Sequence, residues 1–222
     1  MTSQRKIDVF ILIDISGSMT GEPIDSLNYA IKNVLNTICA DQRNMGRVRL
    51  CIHTYNRILY ETHQLELVES LLSNFNSLGI ANGPTHSGNA LEKILSKIHE
   101  TVQEYQTHYN LFKKPLLFHV TDGFPSDIRC YEEIVEKLKR EKINRIGCGI
   151  GTRADLKSLK SFSNKVILLE KNDRESINLF SQLLSKIILF YLFSDNDDLD
   201  SLEILNPTKP NNPILTEKIN IV

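Results

Sequence analysis

Short apolar runs alternating with amphipathic stretches constrain this chain more than any other feature. Ile7–Asp14, Leu116–Thr121, Asn144–Ile150 and Val166–Glu170 are apolar runs of strand length. Between and after them come segments with helical spacing. Pro23–Cys39 aligns Ile24, Leu27, Ile31, Val34, Leu35 and Ile38, and Pro23 suits a first helical turn. Gly88–Gln106 aligns Leu91, Ile94, Leu95, Ile98, Val102 and Tyr105. Ile128–Lys142 and Arg153–Phe162 follow, and Asp173–Phe193 turns Ile177, Phe180, Leu184, Ile187 and Tyr191 inward. Arg47–Tyr55 and Ile58–Thr62, joined across Asn56-Arg57, predict an antiparallel hairpin. Leu65–Leu72 predicts a short helix and Gly79–Ser87 a loop. Strands separated by helices imply an α/β fold: a doubly wound, mainly parallel six-stranded sheet with one antiparallel edge strand and helices on both faces. Ligands of such sheets bind beyond the carboxyl ends of the strands, where strand order reverses.

A chain of 222 residues suffices for one large domain with its own core. Its formal net charge of -1 gives no bulk field favouring nucleic acid or a membrane. The charge is uneven. From Ser194 onward six acidic residues face Lys209 and Lys218, leaving that segment at -4 and the rest at +3. With Pro207, Pro210 and Pro213 in it, 194–222 reads as an acidic extended tail after a domain over 1–193. Cys39, Cys51, Cys130 and Cys148 form no C-x-x-C pair, which points to reduced thiols rather than zinc. Met1–Lys6 lacks a signal-peptide pattern, and the longest apolar run, Ile187–Phe193, is far short of the roughly 20 residues of a membrane span. A cytoplasmic protein is expected.

Three segments carry the chemistry. Asp14-Ile15-Ser16-Gly17-Ser18 follows the first strand directly, placing a carboxylate and two hydroxyls on a tight loop. Gly83-Pro84-Thr85-His86-Ser87 leads into the long helix, and Thr121-Asp122-Gly123-Phe124-Pro125-Ser126-Asp127 comes directly after Leu116–Val120. All three belong on one edge of the sheet. Taken singly, each of these residues is an ordinary helix cap or turn former. Together, Asp14, Ser16, Ser18, Thr85 and Asp122 offer the oxygen ligands that a hard divalent cation takes. Asp127 is expected to cap a helix, Glu22 to serve helix-terminus electrostatics, His86 to be a solvated loop residue and His119 a core histidine. His53, His63, His99 and His108 lack ligand spacing. Gly147-Cys148-Gly149-Ile150-Gly151 has the wrong spacing for a dinucleotide loop and is expected to allow a tight strand exit. There is no Walker lysine motif, and Asp14-Ile15-Ser16 lacks the second aspartate of a phosphatase-type loop.

These five residues resemble the metal-ion-dependent adhesion site (MIDAS) of von Willebrand factor type A domains, whose pattern is D-x-S-x-S, a threonine on a second loop and an aspartate after the fourth strand. The resemblance covers roughly residues 5–193. Within the family, Ser18–Ile24 and Thr121–Asp127 are most similar to the bacterial tellurite-resistance-type stand-alone domains. It implies that Ser16 and Ser18 touch a metal directly, Thr85 directly or through water, and Asp14 and Asp122 through bound waters. The implied ion is Mg2+, with Mn2+ as an alternative, and neutral hydroxyl ligands leave it electrophilic toward a partner's Asp or Glu. The implied role is a metal-dependent protein-interaction module in a bacterial stress-response or defence system, with a serine/threonine kinase or protein phosphatase as the kind of partner. Two other readings compete with it. One is a scaffold whose loops the metal merely staples. The other is a metal-dependent phosphatase or hydrolase, for which His86 and Asp127 are the only nearby bases.

Overall fold

The computed structural model describes residues 5–104, 112–163, 165–171, 173–199 and 219–221. Tyr105, Gln106, His108 and most of the expected tail lie outside them. The elements run β1 Ile7–Asp14, α1 Glu22–Cys39, β2 Val48–Tyr55, β3 Leu59–Leu67, α2 Val68–Asn74, α3 Ser87–Glu104, β4 Leu116–Thr121, α4 Ile128–Leu138, β5 Asn144–Ile150, α5 Leu156–Phe162, β6 Val166–Leu169, α6 Arg174–Phe193 and β7 Ile219–Ile221. The stretch expected to be one short helix over 65–72 is divided: β3 runs on to Leu67 before α2 begins.

The strand order is β3-β2-β1-β4-β5-β6-β7. β2, β1, β4, β5 and β6 are mutually parallel, and β3 is the expected antiparallel edge. The structure adds β7, which pairs antiparallel with β6 through Ile167↔Ile221 and Leu169↔Ile219. The chain runs outward from β1 through β2 to β3, then returns to lay β4 on the other flank of β1. Strand order therefore reverses between β1 and β4, and the loops that follow these two strands face each other.

Strand parity divides the core. Val9, Ile11 and Ile13 of β1 join α1 and α6 in one apolar layer, while Phe10 and Leu12 join α3 and α4 in the other. The two-residue period puts Asp14 on the α3 face. The same period carries Tyr55 of β2, and His119 and Thr121 of β4, to that face. α6 is long and apolar enough to cross a membrane by length and composition, yet most of it is buried in the core against the sheet.

Packing continues past Phe193. Lys113, 3% exposed, donates from Nζ to the carbonyls of Ser194 (2.6 Å) and Asn196 (2.8 Å) and lies over the Tyr191 ring. Arg5 pairs with Asp197 at 2.7 Å, and Leu199 N donates to Asn144 Oδ1. The acidic stretch after α6 is thus bound to the pole where β1 and β4 begin.

Candidate metal centre

Asp14, the last residue of β1, is fully buried. Its Oδ1 accepts from Ser16 N at 2.7 Å and its Oδ2 from the Thr121 hydroxyl at 2.7 Å. The first contact is the local turn that aims Ser16 outward from the strand end. Ser16 Oγ lies 3.2 Å from Ser18 Oγ, and the Ser18 hydroxyl donates to Asp122 Oδ1 at 2.7 Å. Thr85 arrives on the loop before α3: a Cβ built on Gly123 would lie 3.7 Å from Thr85 Oγ1 and 3.9 Å from Ser18 Oγ. All five predicted residues therefore meet at one point above the β1/β4 boundary.

The loops are held there by protein contacts. Gly17 N donates to Gly83 O at 2.9 Å, and Ser126 N donates to Thr85 O at 2.8 Å. Asp127 is indeed a cap, but of another helix. It precedes α4, makes no side-chain cap there, and accepts from Gly88 N (3.1 Å) and Asn89 N (2.8 Å) in the first turn of α3. Glycine at 88 permits this approach, since a Cβ there would fall 2.4 Å from Tyr131 N. Beneath the site, the Tyr55 hydroxyl joins Ser87 Oγ and His119 Nε2, each at 2.9 Å. His119 is the expected core histidine, and burial pushes it down to about 3.

Sequence reasoning gave no role to Thr121, Tyr55 or Ser126. Thr121 had a usable signal: two residues beyond His119, it shares the face of Asp14 across one parallel pair. Glu22 opens α1 and sets its charge in the first turn of that helix. Gly147 and Gly149 answer to packing as well as to the strand exit, because added Cβ atoms would press on Leu159 and Ala154. Their place is under α5, with Gly149 opposite Thr121 on the neighbouring strand.

Electrostatically the cluster lacks positive charge. Burial pushes Asp14 up to about 6, against the pull of Thr121 and Ser16 and with Asp122 adding to the rise. Burial raises Asp122 too, opposed by the Ser18 hydrogen bond and the more distant Arg153. No Lys or Arg side chain bonds to either carboxylate among the described residues. Those residues also hold no group of three His, Cys, Asp or Glu suited to a metal, so an ion here depends on hydroxyls. The residues fit that demand. Two carboxylates and three hydroxyls are hard oxygen donors, and a divalent cation supplies the charge that burial leaves uncompensated.

A family model described as the von Willebrand factor type A domain matches residues 8–181. The chain belongs to the von Willebrand factor type A family. No curated protein matches it. Among solved structures this type A domain is similar to a von Willebrand factor type A protein from Catenulispora acidiphila, at 14% identity and TM-score 0.61, covering 83% of this chain and 43% of that one. It is similar to the manganese-loaded TRAP protein of Plasmodium vivax, at 17% identity and TM-score 0.53, covering 73% and 64%. It is also similar to proximal thread matrix protein 1 of the mussel byssus with a zinc-occupied MIDAS motif, at 13% identity and TM-score 0.55, covering 81% and 46%. At these identities the likeness establishes the fold. This chain spans less than half the length of the Catenulispora and mussel proteins.

Proposed function

We propose that this type A domain is a metal-dependent protein-interaction module: Asp14, Ser16, Ser18, Thr85 and Asp122 hold a divalent cation, Mg2+ in the cytoplasm with Mn2+ as an alternative, and a partner's Asp or Glu binds to it. The observation that carries the reading is the meeting of five oxygen-bearing side chains from three loops, two of them carboxylates to which no Lys or Arg side chain bonds among the described residues. Bound there, the cation supplies an electrophilic point that a carboxylate can complete. The chain's own part is to hold it. Asp14 balances charge from within the fold, Thr121 fixes its orientation, and Ser16, Ser18 and Thr85 bring neutral oxygens. Two relatives of the same fold carry manganese and zinc, which supports a divalent ion. The family is one of interaction modules, and the resemblance to tellurite-resistance-type domains supports a kinase or phosphatase partner in a bacterial stress or defence system.

A merely stapling metal is disfavoured because the loops are already tied by Gly17–Gly83, Thr85–Ser126 and Asp127–α3 contacts. Hydrolysis is disfavoured because both oxygens of Asp127 are spent on backbone N–H groups, leaving His86 alone as a base. Calorimetric titration with MgCl2 and MnCl2 tests the reading. Wild type binds, and Asp14→Ala, Asp122→Ala and Thr85→Ala bind weakly or not at all while staying folded. Unchanged affinity in Asp14→Ala or Asp122→Ala overturns it.

A further inference from the structure

Beside the five-residue cluster lies a cavity of about 260 Å³, walled by the β2–β3 turn and the loop leading to Thr85. The two sites share a wall at Gly83. Its carbonyl accepts from Gly17 N, between the two serines, while a Cβ on its other side would touch Asn56 at 3.7 Å. The cavity is preformed. Asn56 is nearly buried, its Oδ1 accepts from Ile58 N at 3.3 Å, and its Nδ2 donates to Asn82 Oδ1 at 2.9 Å. Its carbonyl accepts from His86 N at 3.0 Å, which ties the turn to the neighbour of Thr85.

The lining has a definite character. Ile58 is 48% exposed and Tyr60 42%, so an aliphatic and an aromatic side chain face solvent together. Arg57 is the one charged residue of the lining, and its guanidinium makes no ion pair or hydrogen bond among the described residues. The acid next in sequence, Glu61, is engaged by Lys97. An exposed arginine beside a tyrosine and an aliphatic side chain is the composition that anchors protein partners. The free cation selects an acidic one.

We propose that this cavity is a second anchor for an acidic segment of a protein partner. One carboxylate of the segment is taken at the Asp14 cluster and a second by Arg57, with the chain between them crossing Gly83 and Pro84. This rests on the metal-face reading above and adds the partner's class: a segment with two acidic residues at fixed spacing, its apolar atoms on Ile58 and Tyr60. Two anchors also fix the direction in which the segment lies, which a single metal–carboxylate contact cannot do.

Selection of displayed random twelve-residue peptides tests it, on wild type, Arg57→Glu and Thr85→Ala in MgCl2, with elution by chelator. Wild type is expected to return peptides with two acidic positions at constant spacing, and Thr85→Ala to return none. On Arg57→Glu the wild-type peptides lose about two- to fivefold in affinity, the scale of an exposed ion pair. Changing their second acid to Lys restores binding to that variant. Arg57 is exposed and bonds through its backbone alone, so the variant folds, and a melting curve checks this. Chelator-eluted peptides with one acidic position and equal affinity for wild type and Arg57→Glu overturn the second anchor alone. A wild type that returns no chelator-eluted peptide overturns the metal-face reading, and this inference with it.

Discussion

Two aspartates are buried on the same strand and the same face, and they are treated in opposite ways. Asp8, near the start of β1 and 1% exposed, receives a two-pronged bond from Arg49: Nε to Oδ1 at 2.7 Å and Nη2 to Oδ2 at 2.8 Å. Asp14, at the other end, receives a backbone N–H and a threonine hydroxyl. The two poles of the sheet repeat the contrast. Below, Lys113 and Arg5 meet Asp197 and the carbonyls after α6. Above, the carboxylates of Asp14, Asp122 and Asp127 accept from hydroxyls and backbone amides. One end carries its counter-charges within the folded chain; the other is the end at which the proposed cation would supply them.

Removing partners at the two ends separates these roles. Arg49→Ala takes the two-pronged bond away from the buried Asp8 carboxylate and is expected to cost about 3 kcal/mol, read by chemical denaturation. An Arg49→Ala protein as stable as wild type removes the basis of the contrast. His119 comes next. Its ordinary value of 6.5 falls to about 3 in the fold because of burial. The stability it contributes is present above pH 6.5 and is lost as pH falls toward 3. Between pH 6.5 and 4 wild type is expected to lose about 3 kcal/mol that His119→Gln does not, measured by parallel melts across pH. Gly88→Ala pushes a methyl group against the Tyr131 and Cys130 backbone and is expected to cost about 2 kcal/mol, with weaker Mg2+ binding because Asp127 can no longer hold α3. Asp14→Asn is expected to change stability least, within about 1 kcal/mol in chelator. Titration calorimetry of the same variant is expected to show Mg2+ binding lost. Destabilisation of Asp14→Asn as large as that of Arg49→Ala erases the difference between the ends.

The sequence carried the five-residue cluster because each member stands where an apolar run stops or a helical pattern starts, and the fold gathers such places on one edge. β1, β4 and β5 were legible to the residue because they are buried on both faces and read as unbroken apolar runs. β3 is half exposed, so its end at Leu67 was hidden by the helical spacing of α2. β7 is three residues long, too short for any periodicity. Asp127 announced itself as a cap, but nothing local says that it reaches across 38 residues to α3 rather than serving the helix it precedes. The Asp8–Arg49 pair and the Tyr55–Ser87–His119 chain were hidden for the same reason: single polar contacts between distant segments leave no pattern in either one. Parity was the unused clue. Asp8, Asp14 and Thr121 could have been assigned to a common face before any coordinates were seen.

The carboxylate of Asp127 has one more consequence. It grips α3 from a loop five residues past Asp122, so Thr85 and Asp122 hang from opposite ends of a single short brace. The two lips of the cluster are therefore joined through the root of α3 as well as through the sheet.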